Sequence, residues 1–76
     1  MFDREVFSKR LSALRAERDV SQMTVAESVG IKRSTYTLLE SGSRAPSIEV
    51  FVALCDFFGV SADYLLGRST NPRRLP

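Results

Sequence analysis

Apolar residues recur at helical spacing along almost the whole chain. Near the N-terminus, Phe7, Leu11 and Leu14 fall at positions i, i+4 and i+7, so they share one side of a helix. No stretch of the sequence alternates between apolar and polar residues, which is the pattern of a half-buried strand. The pattern therefore predicts an all-α fold.

Capping residues and glycines divide this pattern into five helices. The helices are predicted over about 4–18, 22–29, 33–41, 48–58 and 62–66. Small polar residues, whose side chains bond the free N–H groups of a first helical turn, precede four of these helices: Asp3, Ser21, Ser47 and Ser61. Glycines that end a helix follow the last four: Gly30, Gly42, Gly59 and Gly67.

The length of the chain allows one small hydrophobic core. With 76 residues, 43% of them hydrophobic, the chain removes only about 60% of its unfolded surface from water. We expect residues 1–67 to form one domain and residues 68–76 to form a flexible basic tail. The inner face of the fourth helix is assigned to five residues, with the cysteine as a small core residue: Ile48, Phe51, Leu54, Cys55 and Phe58.

The composition lacks most of the groups that catalysis or metal binding requires. The chain has no histidine and one cysteine, which excludes histidine-based catalysis and metal sites built from these residues. Asp56 and Asp63 stand on different predicted helices with no further ligands nearby, so we reject an acidic metal site or acid–base pair. We therefore expect a protein that is not an enzyme and that needs no metal and no cofactor.

No segment has the length or composition of a membrane or export signal. The longest uninterrupted apolar run covers only residues 50–55, whereas a membrane-spanning helix needs about 20 residues. The N-terminus carries Phe2 followed by Asp3, Arg4 and Glu5, and no apolar stretch follows them, so no signal peptide is predicted. We expect a cytoplasmic protein.

Positive charge is concentrated in parts of the chain. The net charge is +2, from 11 Lys and Arg against nine Asp and Glu. Residues 45–67 contain three acids and no base, whereas residues 32–44 contain three bases and one acid, and residues 68–76 contain three bases and no acid. This segregation favours a polyanionic partner.

The segment 22–41, QMTVAESVGIKRSTYTLLES, has the spacing of two short helices that cross at a steep angle. Ala26 is small enough for the crossing point, and Gly30, four positions later, supplies the positive φ that the turn requires. Apolar residues point into a shared core: Val25, Val29, Ile31, Tyr36 and Leu39. Outward positions of the second helix are polar: Arg33, Ser34 and Thr37. The pattern is that of a helix-turn-helix.

The chain resembles the Cro and phage-repressor type of helix-turn-helix protein, also called the xenobiotic-response-element family. The resemblance covers roughly residues 5–67 and rests on four motifs that stand in the family's order and spacing: RLSALRAERDVSQ, VAESVGIKRSTY, LLESGSRAPS and FFGVSADYLLG. It implies a compact five-helix domain of the phage-repressor DNA-binding type, in which helices two and three form the helix-turn-helix.

The resemblance also implies that the third helix enters the major groove of DNA. Arg33 stands at the start of this helix, and we favour a forked contact from its guanidinium to O6 and N7 of a guanine. Ser34 and Thr37 either bond base edges or phosphates or are merely exposed hydroxyls. Leu38 stands where several relatives carry a polar base-contacting residue, so it either contacts a thymine methyl or packs under the helix.

Residues on both sides of that helix are implied to contact the phosphate backbone. Gln22 is expected to place its side-chain amide, with the helix N-terminus behind it, on a phosphate. Lys32 stands at the N-cap of the third helix, where the family has Ser or Thr, and adds a cation near the phosphates. Ser43 and Arg44 lie in the following loop and are implied to meet the backbone, although a merely solubilising role is the alternative for Arg44.

The negative charge of Glu40 stands near the C-terminal end of the third helix, where the helix dipole is unfavourable for it. In the family, the matching glutamate pairs with an arginine of the first helix, which is Arg15 in this chain. We therefore predict a structural Arg15–Glu40 ion pair, shielded from water, that positions the third helix.

The acidic segment 45–67 contains more large apolar residues than one small core can bury. Phe57 and Phe58 are adjacent on a helix and cannot both point inward. Because two recognition helices are needed to single out a site, and because the family's dimers use this region, we predict a two-fold interface away from the DNA: Val50, Phe57, Ala62 and Tyr64. The alternative is that the aromatic residues cover the edge of the core.

The predicted function is sequence-specific binding of double-stranded DNA by a bacterial, phage or plasmid transcriptional regulator, most simply a repressor. It implies a homodimer on a palindromic operator, a location at the nucleoid, and a possible polymerase partner. The alternative is an antitoxin, whose defining partner is a protein toxin and whose DNA binding regulates its own operon.

Overall fold

The computed structural model describes residues 2–74 and has five helices joined by short loops. The described residues contain no strand, so the all-α prediction is confirmed. Two helices end one residue earlier than the glycines suggested. The helices in chain order are α1 (Arg4–Arg18), α2 (Gln22–Ser28), α3 (Arg33–Glu40), α4 (Ile48–Phe58) and α5 (Ala62–Leu66). None of them is both long enough and apolar enough to cross a membrane.

Side-chain caps begin four of these helices as the sequence predicted. The carboxylate of Asp3 accepts hydrogen bonds from the backbone N–H groups of Glu5 and Val6 at 3.1 and 3.2 Å. The hydroxyls that precede α2, α4 and α5 each accept from the residue three positions on: Ser21, Ser47 and Ser61. The N-cap of α3 is Lys32, whose ammonium cannot accept a hydrogen bond, so no side chain caps this helix.

Residues with a left-handed backbone conformation follow the helices, and one of them forms the turn between α2 and α3. Gly30 has φ +78°, and beyond it the N–H of Ile31 donates to the carbonyl of Ala26 at 3.0 Å. This contact folds the chain from α2 into α3 within a few residues. At the first helix Asp19 adopts the same left-handed backbone, with φ 53°, in place of a glycine.

One hydrophobic core lies between all five helices. Helices α3 and α5 pack against α1, and α2 packs against α3. The cysteine is 5% exposed, as predicted for a core residue. Buried apolar residues come from every helix and from the loop after α4: Phe7, Leu11, Leu14, Val25, Ala26, Tyr36, Leu39, Phe51, Leu54, Cys55, Phe58, Val60 and Leu65.

The assignment of Ile48 to the inner face of α4 is wrong. Ile48 is 79% exposed, whereas Phe51 and Leu54 on the same helix are buried. Helical side chains lean toward the N-terminus of their helix, so the first residue of α4 extends past the end of the core. It lies instead at the rim of an open apolar cavity of about 330 Å³: Phe2, Ala45, Pro46, Ile48, Phe51 and Leu66.

Residues 68–74 form no helix but are tied to the folded part of the chain. The N–H of Ser61 donates to the carbonyl of Pro72 at 2.9 Å, and the guanidinium of Arg10 donates to the carbonyl of Ser69 at 2.6 Å. Arg74 forms an exposed ion pair with Asp56 at 2.8 Å. Flexibility of this segment in solution stays a prediction, and the last two residues of the predicted tail lie outside the described part of the chain.

Candidate nucleic-acid interface

Helices α2 and α3 form the helix-turn-helix that the sequence predicted. Ala26 is fully buried where the two helices meet, and a larger side chain there would push them apart. Tyr36 and Leu39 of α3 are buried against Val25 of α2 and the rest of the core. Two further apolar positions of the pattern, Val29 and Ile31, are only partly buried at the edge of the core.

The opposite side of α3 is open to solvent. A helix turns 100° per residue, so the side of α3 opposite the buried Tyr36 and Leu39 points away from the core. Every residue on this outward face is exposed: Arg33, Ser34, Thr37, Leu38 and Ser41. Leu38 is 41% exposed and does not pack under the helix. Its contact with a thymine methyl stays a prediction.

The predicted Arg15–Glu40 ion pair is present and joins α1 to the end of α3. The guanidinium donates from Nε to one carboxylate oxygen at 2.6 Å and from Nη2 to the other at 3.2 Å. Its Nη1 donates to the carbonyl of Val20 at 3.0 Å. The side chain of Glu40 is only 7% exposed and that of Arg15 24%, so the pair is largely shielded from water.

Electrostatics of this pair favour its charged form. Burial alone would raise the pKa of Glu40, but the hydrogen bond from Arg15, the neighbouring hydroxyl of Tyr36 and the hydrogen bond from Gln22 together outweigh burial and hold that pKa below its ordinary value. The bond to the carboxylate raises the pKa of Arg15. Burial, reinforced by the nearby carboxylate, raises the pKa of Tyr36 far above its ordinary value, so its hydroxyl stays neutral.

Gln22 joins this pair to the outward face of α3. Its amide nitrogen donates to Glu40 Oε1 at 3.3 Å, and its amide oxygen accepts from the hydroxyl of Thr37 at 3.2 Å. Sequence reasoning missed both contacts and assigned Gln22 only to a phosphate. The sequence feature that could have indicated a contact between Gln22 and Glu40 is the unfavourable position of the Glu40 charge near a helix C-terminus, where further hydrogen-bond donors stabilise a carboxylate. One N–H of the Gln22 amide remains free of these two bonds.

The loop after α3 is built around the carbonyl of Leu38. That oxygen accepts from the N–H of Ser43 at 3.0 Å and from the hydroxyl of Ser41 at 3.1 Å. The hydroxyl of Ser43 bonds that of Ser41 at 2.9 Å. These contacts hold the exposed Arg44 directly beyond the C-terminal end of α3. Lys32 is exposed at the other end of the same helix, so cations stand at both ends of the outward face.

Two other cations, Arg10 and Arg18, donate to backbone carbonyls within the fold. Arg10 donates to the carbonyl of Tyr64 and lies 4.3 Å from the centre of its ring. Arg18 donates to the carbonyl of Phe58 at 2.6 Å, at the C-terminal end of α4. The sequence shows these charges but not their partners. Within residues 2–74, no ion pair involves the three bases at α3 and its loop: Lys32, Arg33 and Arg44.

Three of the four residues predicted for a dimer contact are partly buried within the chain. Val50 lies over the loop between α3 and α4. Phe57 packs edge-to-face on Phe58 at 4.9 Å, and Tyr64 is covered by Arg10. Ala62 is exposed. The most exposed large apolar residues of α4 are two that the prediction omitted: Ile48 at 79% and Val52 at 53%.

Comparison with known proteins gives the same assignment as the geometry. A helix-turn-helix family model matches residues 11–65. The HTH-type transcriptional regulator AnsR of Bacillus subtilis strain 168 is 40% identical over 67 residues, which are 88% of this chain and 58% of that protein. The cryptic phage CTXphi transcriptional repressor RstR of Vibrio cholerae is 36% identical over 64 residues, 84% of this chain and 58% of that protein.

A third relative carries a different name. The antitoxin PezA of Streptococcus pneumoniae serotype 4 is 31% identical over 69 residues, which are 88% of this chain and 44% of that protein. This chain thus spans less than two thirds of the length of these relatives. No solved structure matches it significantly. The match over residues 11–65, together with the helix-turn-helix that those residues form, shows that the chain belongs to the helix-turn-helix family.

Proposed function

We propose that this chain binds double-stranded DNA sequence-specifically, with α3 in the major groove, and acts as a transcriptional regulator, most simply a repressor. The observation that carries the proposal is the outward face of α3, whose residues are all exposed. It includes Arg33 and is flanked by Lys32 and Arg44, and none of these three bases has an ion-pair partner among residues 2–74. The major groove is about 12 Å wide and admits one α-helix. The similarity of this chain to named transcriptional regulators supports the proposed role.

Contacts divide into those that position the protein and those that distinguish bases. Phosphates are assigned to the free N–H of Gln22, to Lys32 and to the loop residues Ser43 and Arg44. Bases are assigned to Arg33, whose planar guanidinium matches O6 and N7 of guanine, and to the side chains that follow it on the outward face: Ser34, Thr37 and Leu38.

Thr37 has a restricted part in base recognition. Its hydroxyl lies 3.0 Å from the carbonyl of Arg33 and 3.2 Å from the amide oxygen of Gln22, and it donates its one proton to these acceptors. Toward a base it is therefore an acceptor, which suits the amino group of cytosine or adenine.

The regulator acts as a homodimer on a palindromic operator in the cytoplasm, at the nucleoid. One helix contacts too few base pairs to select a site, whereas two helices about 34 Å apart occupy successive major grooves. The contact surface includes the predicted Val50, Phe57, Ala62 and Tyr64 and extends to the exposed apolar side chains of Ile48 and Val52 on α4.

Charged substitutions test this surface. Phe57→Glu is ambiguous because the ring packs on Phe58. Ile48→Glu and Val52→Glu change exposed side chains, so we expect them to leave the melting temperature almost unchanged but to weaken dimer formation on operator DNA. Thermal denaturation measures the first effect, and sedimentation with and without operator DNA measures the second. Operator binding as tight as that of the wild type would show that two copies do not meet through this face.

Paired substitutions test the division between base and phosphate contacts. On an operator selected from random duplex DNA, Arg33→Ala should remove the preference at one base pair, a loss of roughly 1–3 kcal/mol. Arg44→Ala should weaken binding to all sequences and reduce the slope of log affinity against log salt by about one unit. Lys9→Ala is the control, since Lys9 is an exposed base on α1 that pairs with Glu5. An unchanged consensus for Arg33→Ala would make Arg33 a phosphate contact.

An antitoxin is the second candidate, and the similarity to PezA favours it. In that case the chain would also bind a protein toxin, and its DNA binding would serve to regulate its own operon. Co-purification with a small protein from the same operon, together with relief of that protein's toxicity, would establish this role. A chain that purifies alone and neutralises nothing would contradict it.

A further inference from the structure

The outward face of α3 carries one side chain that does not fit a purely polar interface. Leu38 is 41% exposed, while the two other large apolar residues of α3, Tyr36 and Leu39, are buried. Single exposed leucines are common on protein surfaces, so exposure alone has no functional meaning. What distinguishes Leu38 is its place at the centre of the face that, under the proposed function, lies against the bases.

Two hydroxyls on the outward face of α3, those of Thr37 and Ser41, are occupied as donors by carbonyls of their own helix. The Thr37 hydroxyl donates toward the carbonyl of Arg33, at 3.0 Å. The Ser41 hydroxyl lies 3.1 Å from the carbonyl of Leu38. In these arrangements both side chains offer acceptors and a methyl or methylene surface to an opposing partner. Free donors on this face lie toward the start of the helix, at Arg33 and at the hydroxyl of Ser34, and its later part is apolar or accepting.

We propose that Leu38 is a specificity-determining residue that contacts the C5-methyl group of a thymine in each half of the operator. The proposal rests on the proposed function, since it requires α3 to lie in the major groove. Thymine alone among the four bases presents an apolar group there, and an exposed leucine gains by covering it because both surfaces leave water. The operator is therefore expected to carry a T·A pair opposite Leu38, at a different position from the guanine assigned to Arg33.

Replacing single thymines by deoxyuracil tests this contact, because each replacement removes one methyl group from the operator. Uracil keeps Watson–Crick pairing and every hydrogen-bonding group of thymine and lacks only the methyl. Starting from an operator selected from random duplex DNA, each thymine of one half-site is replaced in turn, and the affinity of the wild type is measured. At the thymine opposite Leu38 we expect a loss of roughly fourfold, the equivalent of one buried methyl or methylene group.

Two variants and a control separate Leu38 from other causes of methyl dependence. Leu38→Ala and Leu38→Gln should bind the thymine and uracil operators equally well, and since the side chain is exposed we expect both to fold as the wild type does. Met23→Ala is the matched control, because Met23 is 48% exposed but lies on α2. It should retain the fourfold difference.

The outcomes distinguish this proposal from the proposed function. If the wild type binds its operator but no thymine of the half-site responds to loss of its methyl, Leu38 has no such contact. The same conclusion follows if both Leu38 variants keep the full difference between thymine and uracil. If no duplex is selected at all, the proposed function itself fails and this assignment fails with it.

Discussion

Removing the guanidinium of Arg15 leaves the Glu40 carboxylate in a place where only 7% of its side chain is exposed. Loss of one partner typically costs about 3–5 kcal/mol for a buried pair and about 0–1 kcal/mol for an exposed one. Arg15 is 24% exposed, and Gln22 still donates to Glu40 when Arg15 is gone. We therefore expect Arg15→Ala to lower the free energy of unfolding at pH 7 by about 3 kcal/mol, the lower end of the buried range.

The reverse substitution should cost less. In Glu40→Ala the more exposed Arg15 keeps its hydrogen bond to the carbonyl of Val20 and can be hydrated. We expect a loss of about 2 kcal/mol. Because both single variants lose the same interaction, the double variant should cost less than the sum of the two. Losses that add without coupling would refute the argument that the pair is a shielded unit.

The dependence on pH gives a second and stricter test. In the wild type, the pKa of Glu40 lies below its ordinary value of 4.5, so the stability from this group is present above pH 4.5 and is lost as the pH falls through the folded-state pKa. In Arg15→Ala, burial is no longer outweighed, so we expect the pKa of Glu40 to rise. A raised pKa stabilises the folded state below the unfolded-state pKa, and that stability is lost as the pH rises.

Urea unfolding followed by circular dichroism measures both effects. The difference in unfolding free energy between the wild type and Arg15→Ala should be largest at pH 7 and should narrow toward pH 4. Since both proteins share every other carboxylate, the remaining titrations cancel in this difference. A difference that stays the same at both pH values would show that Glu40 is hydrated and that its shielding by α1 and α2 has no energetic effect.

Three further substitutions test two features of the fold by thermal or urea denaturation. The buried hydroxyl of Tyr36 lies beside the Glu40 carboxylate but forms no hydrogen bond of normal geometry within residues 2–74, so Tyr36→Phe should change stability by no more than about 1 kcal/mol; a larger loss would show that the hydroxyl is bonded to Glu40. Gly67→Ala should cost more than Gly30→Ala, because an added Cβ at Gly67 would lie 2.9 Å from Val6 whereas nothing lies within 4 Å at Gly30. The left-handed backbone alone costs each variant about 1–2 kcal/mol, so equal losses would contradict the crowding at Gly67.

The helices were predictable because their signals are local. A serine that bonds the N–H three residues later, as Ser21 and Ser47 do, acts within a single turn and is visible in the sequence. The turn at Gly30 was predictable for the same reason, since only its own backbone conformation is at issue. The Arg15–Glu40 pair came from the family resemblance, supported by the unfavourable position of one charge.

Features that depend on distant parts of the chain were not predictable. Ile48 has the spacing of an inner residue of α4, and its 79% exposure follows from where the core ends, which the pattern of one helix does not show. Gln22 contacts a carboxylate 18 residues away. The carbonyl partners of Arg10 and Arg18 likewise lie on α5 and α4, more than 35 residues away in sequence. Charge and periodicity do not identify partners at such separations.

Selection of bound sites from random duplex DNA by the purified chain is the most direct test of sequence-specific recognition by α3. We predict enrichment of an inverted repeat whose half-sites lie about one helical turn apart. The protein should prefer guanine at one position, and this preference should disappear when Arg33 is replaced by alanine. Recovery of sequences with no consensus, or of none above background, would contradict the assignment of α3 as a recognition helix.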